Sequence, residues 1–178
     1  MKLSYTENMI KNIVQVGDEV LRQETKYIEP TDISTEKIQN IIKNLQDTLA
    51  TQKDGVAIAA PQIGEPYQIF ILAPFIFEDP TNEHLVYINP VITHQSKKQK
   101  WMTEGCLSIR WKTGEVKRHL ETIVEAYDEH GNKFTEHADG FLSQVSQHEI
   151  DHLHGILFTD KARNVRDMTE EEIAEITQ

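Results

Sequence analysis

The sequence predicts an α+β fold: a single domain over residues 1–178, in which an antiparallel or mixed sheet surrounds a central helix that carries two histidines. Apolar residues recur at helical spacing in two long segments and alternate with polar ones in short runs between them, the pattern of packed helices and half-buried strands. No repeat, low-complexity tract or linker divides the sequence. A chain of 178 residues can bury one core and is short for two domains.

The first long helix is predicted over residues 36–52. Ser34 or Thr35 is placed to cap its N-terminus, and Glu36 lies in its first turn. Its apolar residues recur three and four positions apart, which predicts one buried face: Ile38, Ile41, Ile42, Leu45 and Leu49.

Four β-rich runs are predicted after this helix. Residues 67–72 and 85–88 are the first two, and an Asn-Pro pair ends the second. Residues 75–84, which mix aromatic, acidic and turn-forming residues, are predicted to be the loop between them. Residues 120–127 alternate in character and turn back into residues 133–135, which predicts a hairpin.

The end of the sequence carries the signature of a short acidic helix. Thr169 and Glu172 have the spacing of a capping box, and Met168 with Ile173 fits the hydrophobic staple that accompanies one.

The overall charge makes some kinds of binding partner less favourable. The chain has 18 Lys and Arg against 29 Asp and Glu, a net charge of −11, which argues against binding to nucleic acids or anionic membranes. The cluster of Lys97, Lys98 and Lys100 is interpreted as a solvated edge. No segment approaches the roughly 18 uninterrupted apolar residues of a membrane span, and the first eleven residues lack an apolar signal segment. We therefore expect a cytoplasmic protein.

Residues 55–64 form an unusual run of small apolar residues that contains Pro61 and Gln62. One interpretation is a buried strand or loop. The other is that the small side chains let a substrate backbone approach, while Pro61 fixes the chain so that Gln62 presents its carboxamide in a set direction.

A helix over residues 140–155 carries the pattern His-Glu-x-x-His. With 3.6 residues per turn, His148 and His152 lie on one helix face, close enough to bind one ion, and Glu149 lies beside them. This pattern is typical of two imidazole metal ligands and a general base. A chance pair of surface histidines is the alternative, but Phe141 and Val145 make the same face apolar one turn earlier, which favours a pocket wall.

A catalytic metal needs a third protein ligand, and the helix supplies two. The lone cysteine, Cys106, is one candidate, because it cannot form an internal disulfide and follows Gly105. A buried inert thiol is the ordinary alternative. Other candidate ligands remain open from spacing alone: Glu136, His137, Asp139 and His154.

Three segments together, residues 55–62, 104–108 and 147–153, resemble the three motifs of peptide deformylase, in the same order. The resemblance implies that Cys106, His148 and His152 bind a divalent metal, and that Glu149 is the acid/base. It also implies that Gln62 and the backbone N–H of Leu107 stabilise the oxyanion. Such enzymes remove the formyl group from the initiator methionine of nascent chains and commonly use Fe2+, with Zn2+, Ni2+ or Co2+ as substitutes.

The substrate pocket is predicted from the same segments, with residues 55–58 pairing with the peptide as an added strand. Its predicted lining is Gly55, Val56, Ala57, Gly105, Phe141 and Val145. Two positions depart from the family pattern: Ala57 replaces a glycine, and Arg110 stands where the family often has proline. Ala57 is tolerable if its φ is negative, and Arg110 with Trp111 is expected to alter the cleft rim.

The expected partners are a formyl-methionine peptide or nascent chain and, transiently, the ribosome, without nucleic-acid specificity or membrane contact.

Two rival functions use the same residues. A zincin-like endopeptidase shares the helix but has no use for a cysteine ligand, and position 158 is Phe where a metzincin has its third histidine. A non-catalytic metal-binding protein would not need Glu149.

Overall fold

The computed structural model describes residues 10–77 and 84–177. Its strands form two antiparallel sheets. The first sheet has the order β1-β2-β3-β6-β7, so β1 and β7 are its edges. Its strands are β1 (Ala57–Ala59), β2 (Ile69–Leu72), β3 (Val86–Gln95), β6 (Glu121–Tyr127) and β7 (Lys133–Asp139). The predicted hairpin is confirmed as the β6–β7 pair.

The second sheet, which was not predicted, has the order β4-β5-β8. Its strands are β4 (Gln99–Cys106), β5 (Ile109–His119) and β8 (Arg163–Asp167). The two-residue connection between β4 and β5 holds Leu107 and Ser108, which places Cys106 at a hairpin end. The α+β class is confirmed, with every pairing inside both sheets antiparallel.

The first helix, α1 (Glu36–Ala50), ends two residues earlier than predicted and buries the predicted apolar face against the first sheet. Thr35 occupies the N-cap position, but its hydroxyl donates to the Asp32 carbonyl oxygen at 2.6 Å instead of capping the helix. Gly55 lies buried just beyond the helix. A Cβ at Gly55 would come within 2.8 Å of Leu49 Cδ1, so α1 packing requires this glycine.

The predicted end of β3 at Asn89 was wrong, because the strand continues to Gln95. Asn89 has φ 51°, and the β3–β6 register shifts between Ile88 and Val91. Asparagine tolerates this left-handed conformation, and its amide also bonds the backbone of Ile28 in both directions. The chain therefore bulges here and resumes its pairing. Of the predicted loop, residues 78–83 lie outside the described residues, and Pro74–Ile76 forms a short 3-10 helix.

The histidine helix is α2 (Gly140–Leu153), which contacts strands of both sheets. Gly155 follows it with φ 69°, and a Cβ there would lie 2.6 Å from the Arg22 carbonyl oxygen, so only glycine fits. A short helix, α3 (Phe158–Lys161), leads into β8, and α4 (Glu170–Thr177) follows. Within residues 10–77 and 84–177, no helix has the length and apolarity that a bilayer crossing requires.

Candidate active site

Cys106, His148 and His152 lie together where the β4–β5 hairpin meets α2. The Cys106 Sγ lies 3.2 Å from His152 Nε2, and one donor atom from each of the three residues lies within 4.8 Å of the others. The alternative third ligands do not belong to this group. His154, one of them, is paired through Nδ1 with Glu24 at 2.6 Å.

The charges of these groups suit a metal ion. Burial opposes ionisation of the Cys106 thiol, but the adjacent His152 and His148 rings outweigh burial and lower its pKa to about 5. Thiolate and imidazole are the donors that zinc and other late transition metals prefer. Since a metal site needs deprotonated sulfur, a depressed thiol pKa and three converging donors fit a divalent ion.

A buried ion network holds the His148 ring. The ring Nδ1–H donates to Glu104 Oε2 at 2.9 Å, which leaves Nε2 for a ligand role. Arg118 bonds both oxygens of Glu104, at 2.7 and 3.0 Å, and reaches Asp151 at 2.6 Å. The Glu104 and Arg118 side chains are both 3% exposed. Hydrogen bonds from His148 and Arg118 overcome burial and lower the pKa of Glu104 to about 2.

Glu149 is buried on α2 next to both histidines. Burial raises the pKa of its carboxyl to about 6, although His148 and His152 act in the opposite direction. Its Oε2 atom has no hydrogen-bond partner in the portion of the chain that the structure describes. A buried carboxyl with a free oxygen and a pKa near neutrality is suited to moving protons.

Gln62 is oriented by the backbone of its own turn. Its Oε1 atom accepts the Ala59 N–H at 2.8 Å, so the amide NH2 must face the other way. That NH2 lies 3.5 Å from Cys106 Sγ and 3.2 Å from the Ser108 hydroxyl. The carboxamide thus presents donors next to the cysteine, and the first part of the run, Ala57–Ala59, forms a buried strand.

A strap of N-terminal residues joins the two loops that carry Gln62 and Cys106. The Val14 N–H donates to the Gln62 carbonyl at 2.9 Å, and the Val16 N–H donates to the Ser108 carbonyl at 2.8 Å. Between them, Gln15 donates to the Leu107 carbonyl at 3.0 Å. This strap was not predicted, because nothing local in the sequence links it to either loop.

These groups open into a cleft with a volume of about 280 Å³. All six residues predicted for the pocket line it, together with Gln62, Cys106, Leu107, His148 and Glu149. Val145 is 5% exposed and Phe141 is 53% exposed, so Val145 lies deep in the cleft and Phe141 at its mouth. His152 is buried and does not line the cleft.

The two departures at the rim have structural explanations. Ala57 is not among the residues with positive φ, so its backbone carries an alanine without strain. The Arg110 guanidinium pairs with Asp54 and donates to the Gln52 side chain at 2.6 Å. The β5 end of the cleft is thereby tied to the loop after α1, an ion pair that sequence spacing could not reveal.

A buried carboxyl beside a cysteine and two imidazoles, open to a cleft with oriented amide donors, fits the class of metal-dependent hydrolases. Comparison with known proteins identifies the family within this class of hydrolases. The family model described as polypeptide deformylase matches residues 10–168. The chain therefore belongs to the peptide deformylase family, hydrolases that remove the N-formyl group from nascent chains.

Individual relatives agree with this assignment. Peptide deformylase 2 of Clostridium acetobutylicum is 41% identical over 144 residues, which cover 80% of this chain and 89% of the relative. The chloroplastic/mitochondrial peptide deformylase 1A of Arabidopsis thaliana is 36% identical over 85% of this chain, which spans 61% of that relative. A class I type b peptide deformylase from Acinetobacter baumannii superposes with a TM-score of 0.78, at 26% identity, covering 86% of this chain and 99% of the other.

Proposed function

We propose that Cys106, His148 and His152 bind one divalent metal ion, and that Glu149 and Gln62 act beside it to hydrolyse formyl-methionine N-termini, with release of formate. The observation that carries this proposal is the meeting of one donor atom each from Cys106, His148 and His152 within 4.8 Å of one another. Of these residues, Cys106 and His148 line the cleft together with Glu149 and Gln62.

The family resemblance favours Fe2+ as the ion in the cell, with Zn2+, Ni2+ or Co2+ as substitutes, and thiolate and imidazole donors accommodate all four. Such an ion would supply Lewis-acid chemistry, which lowers the pKa of water far below its bulk value, to about 7. A thiolate ligand also exposes an iron enzyme to oxidation at Cys106. Activity should therefore survive longer in anaerobic than in aerobic buffer for iron-loaded protein, and equally in both for zinc-loaded protein.

Glu149 is the proton carrier of the reaction. As water attacks the formyl carbon, the Glu149 carboxylate accepts a proton from it, and the carboxylic acid then protonates the departing amine as the C–N bond breaks. The pKa of about 6 makes both directions accessible near neutrality. The free Oε2 atom gives the carboxylate an acceptor that no described protein group already uses.

The negative charge that develops on the formyl oxygen needs donors. Gln62 is turned with its NH2 towards Cys106, and the Leu107 N–H lies in the peptide unit that follows the cysteine. Gln15 and the N-terminal strap hold this loop in place. Together the two donors form the oxyanion site.

The peptide binds along the edge of the first sheet. Strand β1 pairs with β2 on one side and has no described strand on the other, so residues 55–58 can accept an added strand. The methionine side chain enters the deep part of the cleft at Val145. The Acinetobacter baumannii relative was solved with Met-Ala-Ser bound, which supports a peptide in this cleft.

The test is turnover of formyl-Met-Ala by protein purified without oxygen, with formate as the measured product. We expect formate release, and no cleavage of an internal peptide bond in an unformylated peptide. Cleavage of that internal bond without formate release would favour the endopeptidase alternative. Metal binding without either activity would favour a non-catalytic protein.

Nascent chains as substrates support a cytoplasmic location and transient contact with the ribosome. Four exposed lysines cluster at one end of the β4–β5 hairpin: Lys97, Lys98, Lys100 and Lys117. None has an ion-pair partner among the residues with described positions. We propose this cluster, whose sequence was interpreted as a solvated edge, as the surface that contacts ribosomal RNA phosphates without sequence specificity. Lys97→Glu with Lys98→Glu should weaken co-sedimentation with ribosomes, and Lys26→Glu should not.

A further inference from the structure

We propose that Trp111, Met168 and Ile176 form an apolar wall at the outer end of the cleft, which selects an apolar side chain in the peptide after the formyl-methionine. We call these three residues the outer wall. The inference rests on the proposed function, since the wall acts on the same peptide. It assigns a specificity role to the C-terminal segment, which lies outside the three sequence motifs.

The outer wall lines the same cleft as Cys106 and Glu149. Trp111 is 37% exposed and Ile176 is 40% exposed. No outer-wall residue belongs to an apolar core cluster of the described chain. Large apolar side chains that are exposed at the mouth of a catalytic cleft are suited to contact an apolar side chain of a ligand bound in that cleft.

Trp111 is held in an uncommon backbone conformation. Its φ is 61°, in the left-handed region that strains a non-glycine residue. Its carbonyl accepts the Met168 N–H at 2.7 Å, and the Arg110 guanidinium carbon lies 5.0 Å from its ring centre. Contacts on both sides thus fix the indole-bearing residue and join it directly to Met168.

The C-terminal segment is fixed mainly by polar contacts. Strand β8 pairs with β5, with Lys112 opposite Asp167. The predicted capping box forms between Thr169 and Glu172, at 2.8 and 3.2 Å, and Arg166 bonds both Glu172 oxygens at 2.8 and 2.6 Å. No residue of α4 is buried. The helix is therefore positioned without covering its apolar Ile176.

The charges around the wall indicate what it accepts. The basic side chains that line this end of the cleft are already paired, Arg110 with Asp54 and Lys112 with Asp167. At the start of α4, Glu172 pairs with Arg166, which leaves Glu170 and Glu171 without an ion-pair partner among the described residues. An acidic side chain in the peptide would meet like charge here, whereas an apolar one buries its surface on the wall. We infer that the enzyme favours phenylalanine and disfavours aspartate at a position after methionine.

The experiment compares formyl-Met-Ala-Ala with peptides that carry Phe or Asp at the second or third position. We expect wild-type kcat/KM to favour Phe over Asp by at least about five-fold at one position, since one apolar contact is worth about 10-fold or more. Ile176→Glu should reduce that ratio at least about three-fold, through KM. Ala174→Glu, an exposed change on the same helix that does not line the cleft, should keep the wild-type ratio.

A binding readout avoids any dependence on turnover. The chain has two tryptophans, so Trp101→Phe leaves Trp111 as the only indole. Adding the product peptide with the favoured Phe should change the fluorescence of this variant more than the matching Asp peptide does. Ile176→Glu, added to Trp101→Phe, should reduce that difference, and an equal response to both peptides would overturn the outer wall.

The outcomes separate this inference from the proposed function. Turnover of all peptides with no Phe-over-Asp preference, or with a preference that Ile176→Glu leaves intact, overturns the outer wall and leaves deformylation standing. Absence of formate release from every peptide overturns the proposed function and the wall with it.

Discussion

The inner and outer ends of the cleft are built on opposite principles. At the inner end, Glu104 and Arg118 are almost completely buried, and each meets charged partners. At the outer end, Trp111 and Ile176 are more than a third exposed, and the polar contacts that hold them lie on the surface. Chemistry requires charges fixed in a dry environment, whereas selection requires apolar surface that the protein itself leaves uncovered.

The largest effect is expected at the inner end, from Glu149→Gln. Glutamine keeps the shape of the side chain but cannot carry a proton, so kcat should fall by about 10²- to 10⁴-fold. Metal content, measured by elemental analysis, should stay at the wild-type level, because Glu149 is not in the ligand group. Loss of metal from this variant would instead assign Glu149 to the site as a ligand.

Arg118→Met should be the most destabilising of these changes. It leaves Glu104 and Asp151 buried or half-buried without their shared cation, which typically costs about 3–5 kcal/mol. Denaturant titration of the wild type and the variant measures the free energy of unfolding of each. Arg166→Met, which breaks the exposed pair with Glu172 at the outer end, is the matched control and should have far less effect. Equal losses from both variants would contradict the contrast between the two ends.

Gln62→Leu should lower kcat by about 10²- to 10³-fold, the typical effect of losing one oxyanion donor. The affinity for the product peptide, measured by titration, should change much less, because the donor acts mainly on developing charge. A variant that keeps its kcat but binds peptide weakly would make Gln62 a substrate-binding residue only.

Acid should weaken the contacts that hold helix α4 at the outer end, with little loss in the stability of the whole protein. Hydrogen bonds from Arg166 and Thr169 lower the pKa of the Glu172 carboxyl to about 2. A depressed pKa stabilises the folded state above the ordinary value of 4.5, and this contribution is lost as pH falls towards 2. Glu172→Gln should therefore speed amide exchange in α4 at neutral pH and leave the thermal midpoint unchanged. A clear drop in the midpoint would mean that α4 supports the core.

The two ends also differ in how far the sequence predicts them. His148, Glu149 and His152 are local to one helix, so their spacing predicts their geometry directly. Joining Cys106 to them required the resemblance of three motifs, because spacing alone left four other ligands open. Arg118 and Gln15 act across long sequence separations and carry no local signal.

The second sheet was missed for a related reason. Most residues of β4 and several of β5 face solvent, so the run from Gln99 to Cys106 lacks the apolar alternation that marks a half-buried strand. The position of Trp111 on the cleft depends on its positive φ and on pairing with β8, and neither is visible in the sequence.

The central claim is that one sulfur and two imidazole nitrogens bind the metal. X-ray absorption on zinc-loaded protein tests it directly. We expect one sulfur at about 2.3 Å and nitrogens at about 2.0–2.1 Å, and Cys106→Ser should lose the sulfur contribution. A wild-type spectrum without sulfur, or one that Cys106→Ser leaves unchanged, would contradict the account.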